Sequence, residues 1–158
     1  ISSLPSEFGI GKLGDSAYMF ANFLRDCGVQ VWQILPLSPT SYGDSPYQSF
    51  SVHAGNPYFI DLEEFIQRDL LTAAECAECD WGGSKSYVDY EKVYLSRFSL
   101  LRKAYRRFYQ MDGKEKELQL IREEMEAFEK EQGFWLAGNK GQPGGNFLES
   151  VAGGLKDT

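Results

Sequence analysis

The sequence is poor in the residues that cross-link chains or hold metals. It has three cysteines and one histidine among 158 residues. An odd, small cysteine count makes a weak disulfide framework and suits a reducing compartment, so a cytoplasmic protein is expected. Cys76-Ala-Glu-Cys79 has the CxxC spacing, but a structural zinc site wants four ligands. Only Cys27 and His53 remain, far off in sequence. The pair is therefore read as two helical cysteines, not as a metal or redox site. No apolar run approaches the ~18–20 residues of a membrane span, which argues against a membrane partner. Excess positive charge is missing too. The formal net charge of −7 argues against nucleic acid, whose phosphates need a basic face. No repeat with a period of 20–50 residues is visible. The first residue is Ile1, not Met, so the lack of a signal peptide carries no weight.

What the chain does have is core material and aromatic surface. Hydrophobic residues make up 42% and charged residues 25%, the balance of a globular chain. Eleven Phe, nine Tyr and three Trp supply stacking faces. Residues 1–14 read as a loop punctuated by Pro5, Gly9, Gly11 and Gly14. Asp15 is a plausible N-cap for a helix from about Ser16 to Cys27. Ala17, Phe20, Ala21 and Leu24 form its apolar stripe, and Gly28 stands where a C′ glycine belongs. Val29 to Leu37 reads as a buried strand, rich in Val31, Trp32, Ile34 and Leu35. A helix, a glycine and a buried strand make the α-to-β half of an α/β repeat.

Residues 38–57 form a long polar loop, and loops of this length are more often functional than idle. Residues 58–62 read as a short strand and Leu62 to Leu71 as a helical stretch. Thr72-Ala-Ala-Glu75 is a capping-box pattern that opens the helix carrying Cys76 and Cys79. Two long helices follow, about Tyr90 to Tyr109 and Lys114 to Gln132. Their stripes are Tyr94, Phe98, Leu101, Tyr105 and Phe108, then Leu118, Ile121, Met125 and Phe128. The first is basic and the second acidic, with a turn at Met111-Asp112-Gly113, so an antiparallel hairpin is expected. The glycine-rich stretch from Ala137 to Thr158 has little regular pattern.

Three motifs invite chemistry. Gly9-Ile-Gly11-Lys-Leu-Gly14 is a literal GxGxxG with a helix after it. No strand precedes it and no acidic residue stands ready to hold a ribose, so it reads as a loop that needs glycines rather than a nucleotide site. The second is Tyr42-Gly43-Asp44-Ser45-Pro46-Tyr47-Gln48, which packs two tyrosines, a hydroxyl, a carboxylate and an amide together. Such groups suit a neutral sugar, with hydrogen bonds for its hydroxyls and aromatic faces for its C–H side. A turn-rich connector built on Gly43 and Pro46 is an equal reading of the same residues. The third is the pair Asp44 and Asp61. Retaining glycoside chemistry wants two carboxyls ~5–5.5 Å apart. Nothing in the sequence places these two across a sugar, and Asp44 suits a turn anchor as well. Neither is assigned as catalytic.

Several segments together resemble the amylomaltase family, the 4-α-glucanotransferases or disproportionating enzymes. SLPSEFGIGKLGDSAYMFANFL at 3–24 is similar to the family's opening signature. VWQILPLSPTSYGDSPYQSFS at 31–51, with AGNPYFIDL at 54–62, resembles its most distinctive block. VDYEKVYLSRFSLLRKAYRRF at 88–108 resembles it more loosely, and Phe134-Trp135-Leu136 resembles a later landmark. The resemblance implies an α/β fold: part of a (β/α)8 TIM barrel of the α-amylase-like clan, with an inserted helical subdomain. Residues 1–84 would supply barrel and substrate loop, 85–136 the helical hairpin, and 137–158 a tail that departs from the family.

The activity implied is transfer of α-1,4-glucan segments between maltooligosaccharides, by a retaining double displacement and without metal or organic cofactor. Ser45 and Tyr47 would touch the glucan. Tyr42, Asp44 and Gln48 match the same motif, with roles left open. The family's catalytic nucleophile and acid/base match nothing here, so the resemblance implies an N-terminal fragment, inactive alone. The reading from another class is a non-catalytic glucan-binding module built on the same loop.

Overall fold

The computed structural model describes residues 1–40, 43–49, 51–84, 86–110 and 115–136, and of 115–118 the backbone alone. Tyr42, the expected turn at 111–113 and the 137–158 tail lie outside the described residues. The elements are α1 (Asp15–Asp26), a 3₁₀ turn (Pro57–Phe59), α2 (Leu62–Gln67), α3 (Ala73–Ala77), α4 (Tyr90–Gln110), α5 (Glu115–Glu131) and α6 (Gly133–Leu136). The chain divides into two compact units, Ile1–Leu100 and Leu101–Thr158.

Among the described residues there is no strand, so the α/β character expected of a partial barrel is not present as a sheet. Residues 29–37 carry no regular structure, and Val31 is 80% exposed, where a buried strand was expected. The reason is that a strand exists only through bonds to a neighbouring strand. Apolar composition without a partner leaves an open apolar segment. The second expected strand, 58–62, is replaced for a local reason. Asn56 caps the turn by accepting the Tyr58 N–H at 2.9 Å, and Pro57 takes the first helical position. Proline there needs no N–H partner and has a helical φ already.

Helix α1 starts one residue earlier than expected. Gly14, not Asp15, occupies the N-cap, with no side-chain cap bond. A Cβ at Gly14 would collide with the carboxylate of Asp61, so the cap position is given to the residue without one. Asp15 then sits in the first turn, where its charge suits the helix dipole. The far end follows the sequence. Gly28 adopts φ 77°, its N–H donates to Arg25 O, and the Val29 N–H donates to Leu24 O. That is a Schellman ending, which needs a left-handed residue. Of the expected stripe, Ala17 is buried, Phe20 and Leu24 are half-buried, and Ala21 is exposed.

Helix α2 is shorter than the expected 62–71 because Asp69 turns left-handed, at φ 59°. The Leu70 N–H returns to Phe65 O at 2.8 Å and ends the helix. Helix α3 opens with both halves of the anticipated capping box: Glu75 N–H to Thr72 Oγ1 at 3.2 Å, and Thr72 N–H to Glu75 Oε2 at 2.9 Å. Cys76 is buried on this short helix, and the Cys79 thiol donates to Glu75 O at 3.4 Å.

The core of the first unit gathers Ile10, Tyr58 and Val93, with Phe59, Val88, Tyr90 and Phe98 packed on it. Leu62, Leu71 and Cys76 are buried as well. The buried face of α4 is rotated from the expected stripe. It runs through Val93, Arg97, Leu100, Leu101, Ala104 and Phe108, while Tyr94 is exposed. In the second unit the Arg122 guanidinium lies over the rings of Phe108 and Tyr109, 5.9 Å from each centroid. Ile121 and Met125 of α5 are half-buried and Phe128 is exposed. Gln132 holds α6 by accepting the Trp135 indole N–H at 2.8 Å.

The capping box yields a prediction. Thr72→Ala is expected to lower stability by about 1 kcal/mol, the ordinary cost of losing a threonine cap, while Thr72→Ser keeps most of it. Urea denaturation of the three proteins checks this.

Candidate functional site

The site is the 38–57 loop, and its base is closed by one residue. The Asn56 backbone N–H donates to Leu37 O at 2.8 Å and its Nδ2 donates to Ser38 O at 3.3 Å. Its Oδ1 accepts the Tyr58 N–H. Asn56 is buried, so all of these bonds are made away from water. The two ends of the loop are therefore tied, and the ordering cost of closing it is met at its neck.

Within the loop, Asp44 takes a left-handed conformation, φ 54°. Its Oδ1 accepts two hydroxyls, Thr40 Oγ1 at 3.2 Å and Tyr58 Oη at 3.3 Å. Ser45 follows, half-buried, and its carbonyl accepts the Gln48 N–H at 3.0 Å to close a turn. Tyr47 sits in that turn with 74% of its surface exposed, and Gln48 is exposed beside it. The expected residues Asp44, Ser45, Tyr47 and Gln48 thus lie on one short turn. The arrangement offers an open aromatic face flanked by hydroxyl, amide and backbone groups.

Asp61 has different work. Its Oδ1 caps α2 by accepting the Glu63 N–H at 2.9 Å and pairs with Lys12 Nζ at 2.7 Å. Lys12 also bonds Glu63. Lys12 is buried although it lies between the glycines of the GxGxxG stretch, and those glycines sit hard against backbone and side chains of other segments. The motif serves close packing. Asp61 is committed to a cap and an ion pair, and Asp44 to two hydroxyls.

Sequence reasoning missed Asn56, Tyr58, Thr40 and Arg97. Asn56-Pro57 carried a readable signal, since Asn before Pro is a helix-start pattern. Tyr58 carried none, because its partner Asp44 is fourteen residues away. Arg97 is 0% exposed and donates to Ile60 O at 2.7 Å, while its Nε and Nη2 have no hydrogen-bond partner among the described residues. Burial pushes its pKa down to about 10, against the pull of Asp61, Cys76 and Tyr58, so it remains a cation at neutral pH. Its signal was a charged residue on the apolar face shared by Val93 and Leu101.

The chain belongs to the 4-alpha-glucanotransferase family, glycoside hydrolase family 77, whose model matches residues 1–138. It is similar to the 4-alpha-glucanotransferase of Streptococcus pneumoniae, 52% identical over 111 residues, which is 70% of this chain and 22% of that protein. It is also similar to the 4-alpha-glucanotransferase of Thermus thermophilus, 42% identical over 135 residues, 85% of this chain and 25% of that one. Among solved structures it resembles an amylomaltase from Streptococcus agalactiae in complex with acarbose. The TM-score is 0.74 at 34% identity, over 86% of this chain and 26% of that chain. The chain thus spans about a quarter of the length of the curated relatives it matches. No helix of the described residues is long and apolar enough to cross a membrane.

Two outcomes follow from the geometry. Asn56→Ala leaves a buried Tyr58 N–H and the Ser38 carbonyl unpaired, an expected cost of about 1–3 kcal/mol. Limited proteolysis should then cut within 38–55 faster than in the parent. The second concerns alkaline pH. Burial first, then the charge and hydrogen bond of Asp44, hold the Tyr58 phenol above its ordinary value of 10.0. The unfolded chain releases that proton first, so the support is complete below pH 10 and is lost as the pH climbs beyond it. Tyr58→Phe should therefore lose stability less steeply above pH 10 than the parent, read as melting temperature against pH.

Proposed function

We propose that this chain supplies the glucan-gripping portion of a protein that transfers α-1,4-glucan segments between maltooligosaccharides by a retaining mechanism. The supporting observation is the turn at 44–48, tied down by Asp44 and Asn56 and displaying Tyr47 to solvent. Ser45 and Tyr47 are the residues in contact with the sugar. Tyr47 offers its ring to the C–H face of a glucose unit, and Ser45 offers a hydroxyl to its oxygens. Gln48 lies beside them, and Tyr42 belongs to the same motif. The reaction needs no metal or organic cofactor.

In this reading residues 1–84 contribute to a (β/α)8 barrel of the α-amylase-like clan, residues 85–136 form an inserted helical subdomain, and the protein works in the cytoplasm. The open apolar segment at 29–37 is then a barrel strand without its neighbours. The family's catalytic carboxylates match no residue of this sequence, so the 158-residue chain alone binds glucan without transferring it. A stand-alone glucan-binding module is the second reading. It is favoured by the loop's described anchors, Asn56 on Leu37 and Ser38 and Asp44 on Thr40 and Tyr58, whose partners lie within the first unit.

Incubated with maltotriose, the chain is expected to release no glucose and form no longer maltooligosaccharides. Clear disproportionation would refute the inactivity. Calorimetric titration with maltoheptaose should show saturable binding that Tyr47→Ala weakens about tenfold, the scale of one lost ring contact. Binding that is unchanged in the variant would remove the loop's role.

A further inference from the structure

We propose that Tyr58 is a positioning residue for the glucan-contact turn, acting through Asp44 to fix where Ser45 and Tyr47 stand. The proposal rests on the glucan reading above and adds a residue outside the 42–48 motif.

Tyr58 is a peg held on every side. Its backbone N–H is bound by the Asn56 side chain. Two residues on, the Ile60 carbonyl is gripped by the buried Arg97, and next to it Asp61 is paired with Lys12. Its ring is packed between Tyr90 and Phe98, with centroids at 6.0 and 6.2 Å, in the core with Ile10 and Val93. Only the hydroxyl reaches out of this core, and it donates to Asp44 Oδ1. The Thr40 hydroxyl reaches the same oxygen.

Asp44 is the hinge on which this hold acts. It is left-handed, and Gly43 before it is left-handed too, at φ 94°. Aspartate tolerates that region better than most residues, but it is not its preferred state. Two such residues in succession precede Ser45, where the turn that displays Tyr47 starts. A carboxylate held by two hydroxyls keeps this approach to the turn in one conformation. Without them the sugar must select that conformation from several, and its affinity falls accordingly. The phenol of Tyr58 is also held protonated by burial and by Asp44, so the donor is present at any physiological pH.

Tyr58→Phe removes the hydroxyl and keeps the ring in the core. Asp44→Ala removes the acceptor, and Asp44→Asn keeps an acceptor oxygen without the charge. In Tyr58→Phe and Asp44→Ala, hydrogen exchange at the Gln48 amide should quicken about tenfold, the worth of roughly one hydrogen bond, with the Glu78 amide, which opens locally at the exposed end of α3, unchanged. Maltoheptaose affinity should fall by a similar factor. The double variant should be no worse than either single one. Asp44→Asn should stay close to the parent.

Gln48 and Glu78 quickening together would reduce Tyr58 to a general core residue and overturn the proposal, as would no change at Gln48. If the parent binds maltoheptaose, Tyr47→Ala loses it and Tyr58→Phe does not, the glucan reading stands and the positioning role falls. If the parent binds no glucan, the glucan reading falls and takes with it any role of Tyr58 in binding sugar. The exchange at Gln48 then still decides whether Tyr58 sets the turn.

Discussion

The bonding of residues 56–61 is the constraint on which the rest of the first unit depends. Asn56 ties the neck of the long loop, and Tyr58 reaches its middle. The Ile60 carbonyl is held by a guanidinium from α4, and Asp61 caps α2 while pairing with Lys12 near the chain's start. Six residues thereby connect the opening loop, the 38–57 loop, α2 and α4. Short segments seldom carry so many long-range bonds, because each bond must exceed the entropy of ordering the groups that make it. Here one local ordering, set by the Asn-Pro start of the 3₁₀ turn, serves all of them.

That concentration explains which parts of the structure were legible in the sequence. Features set by neighbours in the chain came through. Gly28 ends α1 with a left-handed residue, Thr72 and Glu75 form their box, and α4 and α5 lie close to where apolar spacing puts them. Features set by distant partners did not. Residues 29–37 have strand composition, yet composition cannot supply a neighbouring strand. The stripe on α4 was drawn from Tyr94, which is exposed, whereas the helix turns Val93 and Arg97 inward. An apolarity pattern does not choose a guanidinium for burial, and only the Ile60 carbonyl makes that choice intelligible.

The same division runs through the candidate site. The motif 42–48 and its likeness to glucanotransferases were readable, and the family assignment over residues 1–138 agrees with that likeness. The support beneath the motif was not readable. Thr40 and Tyr58 meet on one oxygen of Asp44 only because the neck at Asn56 brings the returning chain back under the loop. Arg97 sharpens the point. A buried cation with two nitrogens unsatisfied is costly, and nearby Asp61 offsets the charge only in part. What Arg97 does supply is a bond from α4 to the Ile60 carbonyl.

The uncovered stretch around Val31, Trp32, Ile34 and Leu35 has a consequence beyond folding. Apolar side chains lying open along an unpaired backbone are what holdase chaperones and quality-control proteases grip. Any segment that pairs with that stretch would hide it from both.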